Sequence, residues 1–283
     1  MRYGFVIPLW DILVLPDLAA EAEAVGWDGI FIPDCILIDV PQAPAQSAYD
    51  PWVALTAMAL RTTHIRLGTM ITPLSRRRPW KVARETTSLD ILAHGRLVLP
   101  VGLGALDDAG FGRVGEATNR KIRAELLDES LAIINGLWSG ERFSYSGTHY
   151  QVQDFIFQPT PVQRPRIPIW VVGAWPHPKS LARALRWDGI IPSKLFADGT
   201  HATMEPDDIR TLHAYITANR HDATPYDIIV EGCTPGDDRA ADYATVAPYE
   251  EAGATWWNES MWLAPNAEND VRTRIRKGPP RGI

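Results

Sequence analysis

Ala24-Val25-Gly26-Trp27-Asp28-Gly29-Ile30-Phe31-Ile32-Pro33 and Ala184-Leu185-Arg186-Trp187-Asp188-Gly189-Ile190-Ile191-Pro192 are two near copies of one junction. In each, a helical pattern runs into a short apolar stretch that stops at proline. His94-Gly95-Arg96-Leu97-Val98-Leu99-Pro100 is a looser third copy, and Glu251-Ala252-Gly253-Ala254-Thr255-Trp256-Trp257 repeats the first half. The glycine closes a helix in the left-handed conformation, the strand is apolar throughout because both its faces are buried, and proline ends the ladder because it has no N–H. A parallel sheet with crossover helices requires such junctions.

Working outward, periodicity gives strands near 2–7, 28–32, 65–71, 96–101, 168–172, 188–191, 227–231 and 254–257. Helical patterns lie between them. Pro16 to Val25 starts with proline and puts Leu18, Ala22 and Val25 on one face; Thr118 to Leu137 aligns Leu126, Leu127, Ile133, Ile134 and Leu137. Eight strands with intervening helices and no visible break predict one α/β domain over 1–283, a (β/α)8 TIM barrel with insertions after strands 4 and 6. The first insertion, Ser139 to Pro168, carries a hairpin pattern from Phe143 to Tyr150 about Ser146-Gly147. The second, Pro192 to Glu205, has little periodicity and is a candidate lid. Both are expected to hang over a barrel end.

Composition narrows the function classes. Hydrophobic residues make up 46% of the 283 and charged residues 22%, so a large core is within reach. The net charge is −6 and the densest basic run is only Arg76-Arg77-Arg78, which gives nucleic acid no footprint. No segment approaches a membrane span. The two cysteines, Cys35 and Cys233, form no disulfide or metal pattern, and Pro8 and Asp11 interrupt the apolar N-terminal stretch that could imitate a secretory signal. A cytoplasmic location is expected.

In a barrel of this kind the working residues follow the strands' C-terminal ends. That rule selects Trp10 and Asp11, Asp34 and Cys35, Thr69 to Thr72, Gly102-Leu103-Gly104, Gly173-Ala174-Trp175, Ser193 and Lys194, Glu231 and Gly232, and Asn258 and Glu259. None of the seven histidines has metal-ligand spacing, so no metal is expected. Gly102-x-Gly104 resembles the start of a dinucleotide fingerprint, but Asp107 stands where the third glycine belongs. It reads as a tight turn that serves either the fold or the approach of a phosphate. Gly173 to Ser180, leading into a helix with two prolines, Lys179 and Ser180, suits a phosphate equally well.

Ile65-Arg66-Leu67-Gly68-Thr69-Met70-Ile71-Thr72-Pro73, Arg76-Arg77-Arg78-Pro79-Trp80, Thr87-Ser88-Leu89-Asp90, Gly95-Arg96-Leu97 and Val101-Gly102-Leu103-Gly104 together resemble the luciferase-like flavin-dependent oxidoreductases. Pro168-Ile169-Trp170-Val171-Val172-Gly173 and Arg186-Trp187-Asp188-Gly189 continue the resemblance, which runs well from Met1 to Lys194 and loosely beyond. It implies the eight-fold barrel, a homodimer, and FMN or 8-hydroxy-5-deazaflavin at the C-terminal face. It also implies a non-proline cis peptide after strand three, here at Thr69–Met70. The cofactor would be held by Thr69, Met70, Gly102, Leu103, Gly104, Gly173, Ala174, Trp175 and Ser180. Many members have Asp-His after strand two; this chain has Asp34-Cys35, so no imidazole is available there. Pro100 also stands where the family often has glycine.

The leading expectation is a monooxygenase that uses reduced FMN, supplied by a flavin reductase or another NAD(P)H-linked source, and oxygen to oxidise a small organic substrate. Asp34 and Cys35 are its candidate catalytic residues, with Trp10, Asp11 and Lys194 on the substrate; Trp10, Trp175 and the lid form a dry wall. The alternative keeps the site but uses the deazaflavin as a hydride carrier, as a dehydrogenase or reductase. Two further readings are a Schiff-base lyase built on Lys194 and a non-catalytic flavin-binding protein.

Overall fold

A computed structural model describes residues 1–8, 11–36, 48–105, 108–196, 201–262 and 267–282. β1 (Arg2–Val6) leads to α1 (Leu15–Ala24), β2 (Gly29–Ile32), α2 (Pro51–Arg61), β3 (Arg66–Thr69) and β4 (Thr72–Pro73). A 3-10 turn, Leu74–Arg76, precedes α3 (Pro79–Leu92), β5 (Leu99–Gly102), α4 (Ala109–Gly112), α5 (Arg120–Trp138), β6 (Arg142–Ser146) and β7 (Gln151–Ile156). The chain continues through β8 (Ile169–Trp175), α6 (Pro178–Ala184), β9 (Gly189–Leu195), β10 (His201–Ala202), α7 (Pro206–Asn219), β11 (Asp227–Gly232), α8 (Arg239–Glu251), β12 (Trp256–Ser260) and α9 (Ala267–Arg276).

Nine of these strands run parallel in the order β3-β2-β1-β12-β11-β9-β8-β5-β4. The ring closes where Leu67 bridges Leu97, with Val98 N–H donating to Leu67 O at 2.9 Å and Leu67 N–H to Arg96 O at 3.1 Å. All eight expected strands are present, the third split into β3 and β4. Between its halves the Met70–Ile71 peptide is cis, one bond later than the Thr69–Met70 position the resemblance implied.

The junction repeat has a structural counterpart. Asp28 and Asp188 each accept the N–H that starts the preceding strand, Tyr3 at 2.8 Å and Ile169 at 2.9 Å. Each also accepts, on its backbone oxygen, the N–H that starts the following strand, Arg66 and Asp227, both at 3.0 Å. One residue thus ties three neighbouring strands in register. Gly26, Gly95 and Gly253 take positive φ, as the helix-closing role requires.

Side chains alternate across each strand and divide the core in two. Val6, Phe31, Met70, Val98, Trp170, Ile191, Ile229 and Trp256 fill the barrel interior. Their neighbours in sequence, such as Phe5, Ile30, Ile190, Ile228 and Trp257, face the helices. Trp170 and Trp256 meet edge to face at 5.1 Å and plug the lower lumen.

Both insertions differ from expectation. β6 and β7 form the hairpin, but it packs on the helices rather than covering the strand ends: the Glu129 carboxylate of α5 accepts the N–H groups of Thr148, His149 and Tyr150, and Trp80 of α3 meets Tyr150. The candidate lid begins as an extension of β9, which pairs antiparallel with β10; residues 197–200 within it lie outside the described residues.

Candidate active site at the barrel mouth

Alternation anchored on the interior cluster assigns the upper lumen. Val6, Phe31, Met70, Val172 and Ile191 point inward, as do Ser193, Glu231, Asn258 and Ser260 two residues beyond interior positions on β9, β11 and β12. The wall therefore has two arcs. From β3 to β8 it is apolar, with Met70, Ile71 and Val172 lining it beside Gly102. From β9 to β12 it is polar.

Asn258 is fully buried, and both polar atoms of its carboxamide lack a hydrogen-bond partner. Its register neighbours are Gly4 and Glu231. A Cβ on Gly4 would lie 2.1 Å from Asn258 Oδ1, so glycine there leaves the room that the carboxamide occupies. A buried unpaired amide is costly unless something meets it, and leaving one such group unmet costs about 1–3 kcal/mol. Glu231 is exposed toward the mouth, and Trp262 Nε1 donates to its Oε2 at 3.1 Å. An apolar arc facing orphaned amide atoms and a carboxylate fits a flat heterocycle with polar edges. Met70, Ile71 and Val172 would lie against its face, and the cofactor would supply the redox chemistry.

The expected catalytic pair does other work. Arg77 grips the Asp34 carboxylate through two hydrogen bonds, each at 2.7 Å, and Arg76 donates to the Asp34 backbone oxygen and pairs with Asp108. Arg76 and Arg123 also lie over the Phe111 ring. This network joins the loops after β2, β4 and β5. Cys35 is half-buried, and burial, reinforced by the Asp34 charge, pushes its thiol up to about 11, so it stays protonated at neutral pH.

The other expected residues are spread over both faces. Thr69 is fully buried and shares a 2.7 Å hydrogen bond with Thr72. The side chain missing from Gly102 would meet Ile71 and Val172 in the lumen, whereas that of Gly104, at φ +81°, would meet the Phe111 ring, and that of Gly173 would meet Ile190. Leu103 packs on the outer core and its carbonyl accepts from Ser75. Ala174 N–H donates to Ser180 Oγ at 2.9 Å, an internal tie between β8 and α6. Trp175 and Lys194 both hydrogen-bond to Asp208 of α7, Lys194 as an ion pair at 2.7 Å. Lys194 thus turns away from the lumen, which removes the geometry a Schiff-base lyase needs. Asp11 is exposed and accepts from Leu13 N–H within its own loop. Trp10 lies outside the described residues.

Two residues selected only by position, Glu231 and Asn258, emerge as the polar lumen pair. The signal was present in the sequence: Val230 and Trp257 are outward residues, and counting by two from Ile229 and Trp256 turns Glu231 and Asn258 inward.

Comparison with known proteins agrees with this geometry. The luciferase-like monooxygenase family profile matches residues 13–278, and the chain belongs to that family. An F420-dependent glucose-6-phosphate dehydrogenase of Microbacterium testaceum is 35% identical over 173 residues, which is 59% of this chain and 49% of that protein. An F420-dependent hydroxymycolic acid dehydrogenase of Mycobacterium tuberculosis is 34% identical over 135 residues, 47% of this chain and 36% of that protein. The matched region thus spans about half the length of the first relative and about a third of the second. An F420-dependent secondary alcohol dehydrogenase, solved with an F420-acetone adduct, superimposes with a TM-score of 0.74 over 98% of this chain and 97% of that one at 16% identity, a likeness of fold. The protein is therefore an oxidoreductase of the luciferase-like family. Among the described residues, no helix is long and apolar enough to cross a membrane.

Proposed function

We propose that the protein is a deazaflavin-dependent oxidoreductase that moves a hydride between the cofactor and a small organic substrate. The deazaflavin moves ahead of FMN, which the sequence put first. One observation carries this reading: the relatives matched at 30–35% identity across the barrel are named for F420. The lumen is compatible with it, since a hydride acceptor asks the protein for a shaped, dry surface and a group to handle a proton. Gly102 and the apolar arc would receive the ring. The phosphate-bearing tail would leave past the loops after β5 and β8, where Lys179 is exposed at the start of α6. A homodimer in the cytoplasm is part of this proposal.

The test is a titration of the purified protein with F420 and, separately, with FMN, followed by tryptophan and cofactor fluorescence. Saturable binding of F420 at least tenfold tighter than FMN is expected. Preference for FMN, with oxygen uptake by the reduced complex, would restore the monooxygenase reading.

A further inference from the structure

We infer that Glu231 is the proton-transfer residue of this site and that its substrate is a neutral alcohol or the corresponding ketone. The inference rests on the deazaflavin reading and adds to it the reacting group and the substrate class.

Oxidising an alcohol removes two hydrogens in different forms. The carbinol C–H bond yields its hydrogen with both electrons to the oxidised deazaflavin, while the O–H bond yields a proton that a base must take. The alcohol loses two electrons and becomes a ketone, the cofactor gains two, and the carboxylate becomes a carboxylic acid. The base must reach the substrate oxygen within hydrogen-bond distance.

The residues after β2 cannot serve. Asp34 is held on both oxygens by Arg77, and Cys35 keeps its proton at neutral pH. Lys194 is turned outward onto Asp208. Among the described residues, the inner positions of the upper lumen carry one ionisable side chain, Glu231. It stands across from the apolar arc, is oriented by the Trp262 indole, and opens to solvent, through which its proton can leave. Asn258, its register neighbour, has an unpartnered carboxamide that can donate to the same substrate oxygen.

The rim indicates the rest of the molecule. Leu13, Ile36, Phe196 and Trp262 follow β1, β2, β9 and β12, and are 80%, 47%, 61% and 44% exposed. The cations nearest these strand ends, Arg76, Arg77 and Lys194, are each neutralised by an aspartate. Such a rim favours an uncharged, partly apolar alcohol over a phosphorylated one.

The experiment uses Glu231→Gln, which keeps an acceptor for Trp262, with 1-phenylethanol and acetophenone as neutral probes and glucose 6-phosphate as the charged comparator. Wild type should bind F420 and oxidise 1-phenylethanol in preference to glucose 6-phosphate, faster as pH rises through the carboxyl titration. The variant should bind F420 within twofold of wild type yet lose about 100-fold in rate, the lower end of what a positioned base contributes. A second readout needs no turnover. Acetophenone should bind the F420-loaded wild type more tightly as pH falls, because a protonated Glu231 donates to the ketone; once the carboxyl ionises, affinity should drop by up to about tenfold per pH unit. In Glu231→Gln that pH dependence should vanish. A variant that keeps the wild-type rate or pH dependence overturns the assignment, and preference for glucose 6-phosphate overturns the substrate class. Failure of wild type to bind F420 overturns the deazaflavin reading itself, and is seen in the first titration before any variant is made.

Discussion

Arg77 holds Asp34 by both carboxylate oxygens, with 20% and 2% of the respective side chains exposed. Two loops of the mouth are thereby tied together, and the ion pair belongs to the scaffold. Removing one partner of a largely buried pair leaves the other uncompensated, at a cost of about 3–5 kcal/mol. Arg77→Met should therefore lower stability to urea by about that amount, toward the lower end because Arg77 is partly solvated. Equilibrium unfolding measures it. Unchanged stability together with lost turnover would return Asp34 to the catalytic residues.

The Cys35 thiol should resist alkylation until the solution is strongly alkaline. Its raised value means the folded protein keeps the proton between the ordinary thiol range, about 8.5, and about 11, while the unfolded chain gives it up. The sign follows: stability is unaffected below the ordinary value and declines as pH rises through that interval. Iodoacetamide labelling of the folded protein against pH, with Cys35 read by peptide mass, should reach half its maximal rate near 11. A midpoint near 8.5 would show a solvated thiol available as a nucleophile.

Glu23 should make the protein acid-sensitive at one loop. Although burial pushes its carboxyl up, hydrogen bonds from the backbone N–H groups of Ile65, His64 and Thr63 and from the Thr63 hydroxyl outweigh it and hold the group below its ordinary range. The contribution is present above the unfolded value, about 4.3, and disappears as pH falls through the lower folded value. Glu23→Gln should flatten the acid limb of the stability curve, measured by melting temperature from pH 6 to 3. An acid limb as steep as in wild type would contradict this.

Gly173→Val should destabilise without touching the cofactor. A Cβ there would lie 2.4 Å from Ile190 Cδ1 and 2.8 Å from its Cγ1, on the helix side of β8. Overpacking of this kind costs about 1–3 kcal/mol. Combining it with Ile190→Ala should recover part of the loss, and F420 affinity of the folded variant should be normal. Weakened binding at wild-type stability would instead place Gly173 on the cofactor phosphate.

Much of the fold was legible because its signals are local. The Trp-Asp-Gly junction marked two strand starts, and the shared hydrogen bonds of Asp28 and Asp188 show why the same residues recur. The hairpin about Ser146-Gly147 was also local; its resting place on α5 was not, since Glu129 is far from it in sequence. The site was less legible for the same reason. Arg76 and Arg77 read as a short basic run until the fold brought Asp34 and Asp108 to them. Glycines that could admit a phosphate and glycines that make room for Phe111 or Ile190 look alike in one dimension. Glu231 and Asn258 differ from outward neighbours only by parity along the strand.

The two-arc wall also has a stereochemical consequence. Apolar residues on β3 and β8 face polar ones on β11 and β12, so the lumen has no mirror plane. A planar ring laid against Met70, Ile71 and Val172 can show only one of its two faces toward Glu231. A prochiral centre held between them would meet that face from one side, and hydrogen exchanged there would carry a single handedness.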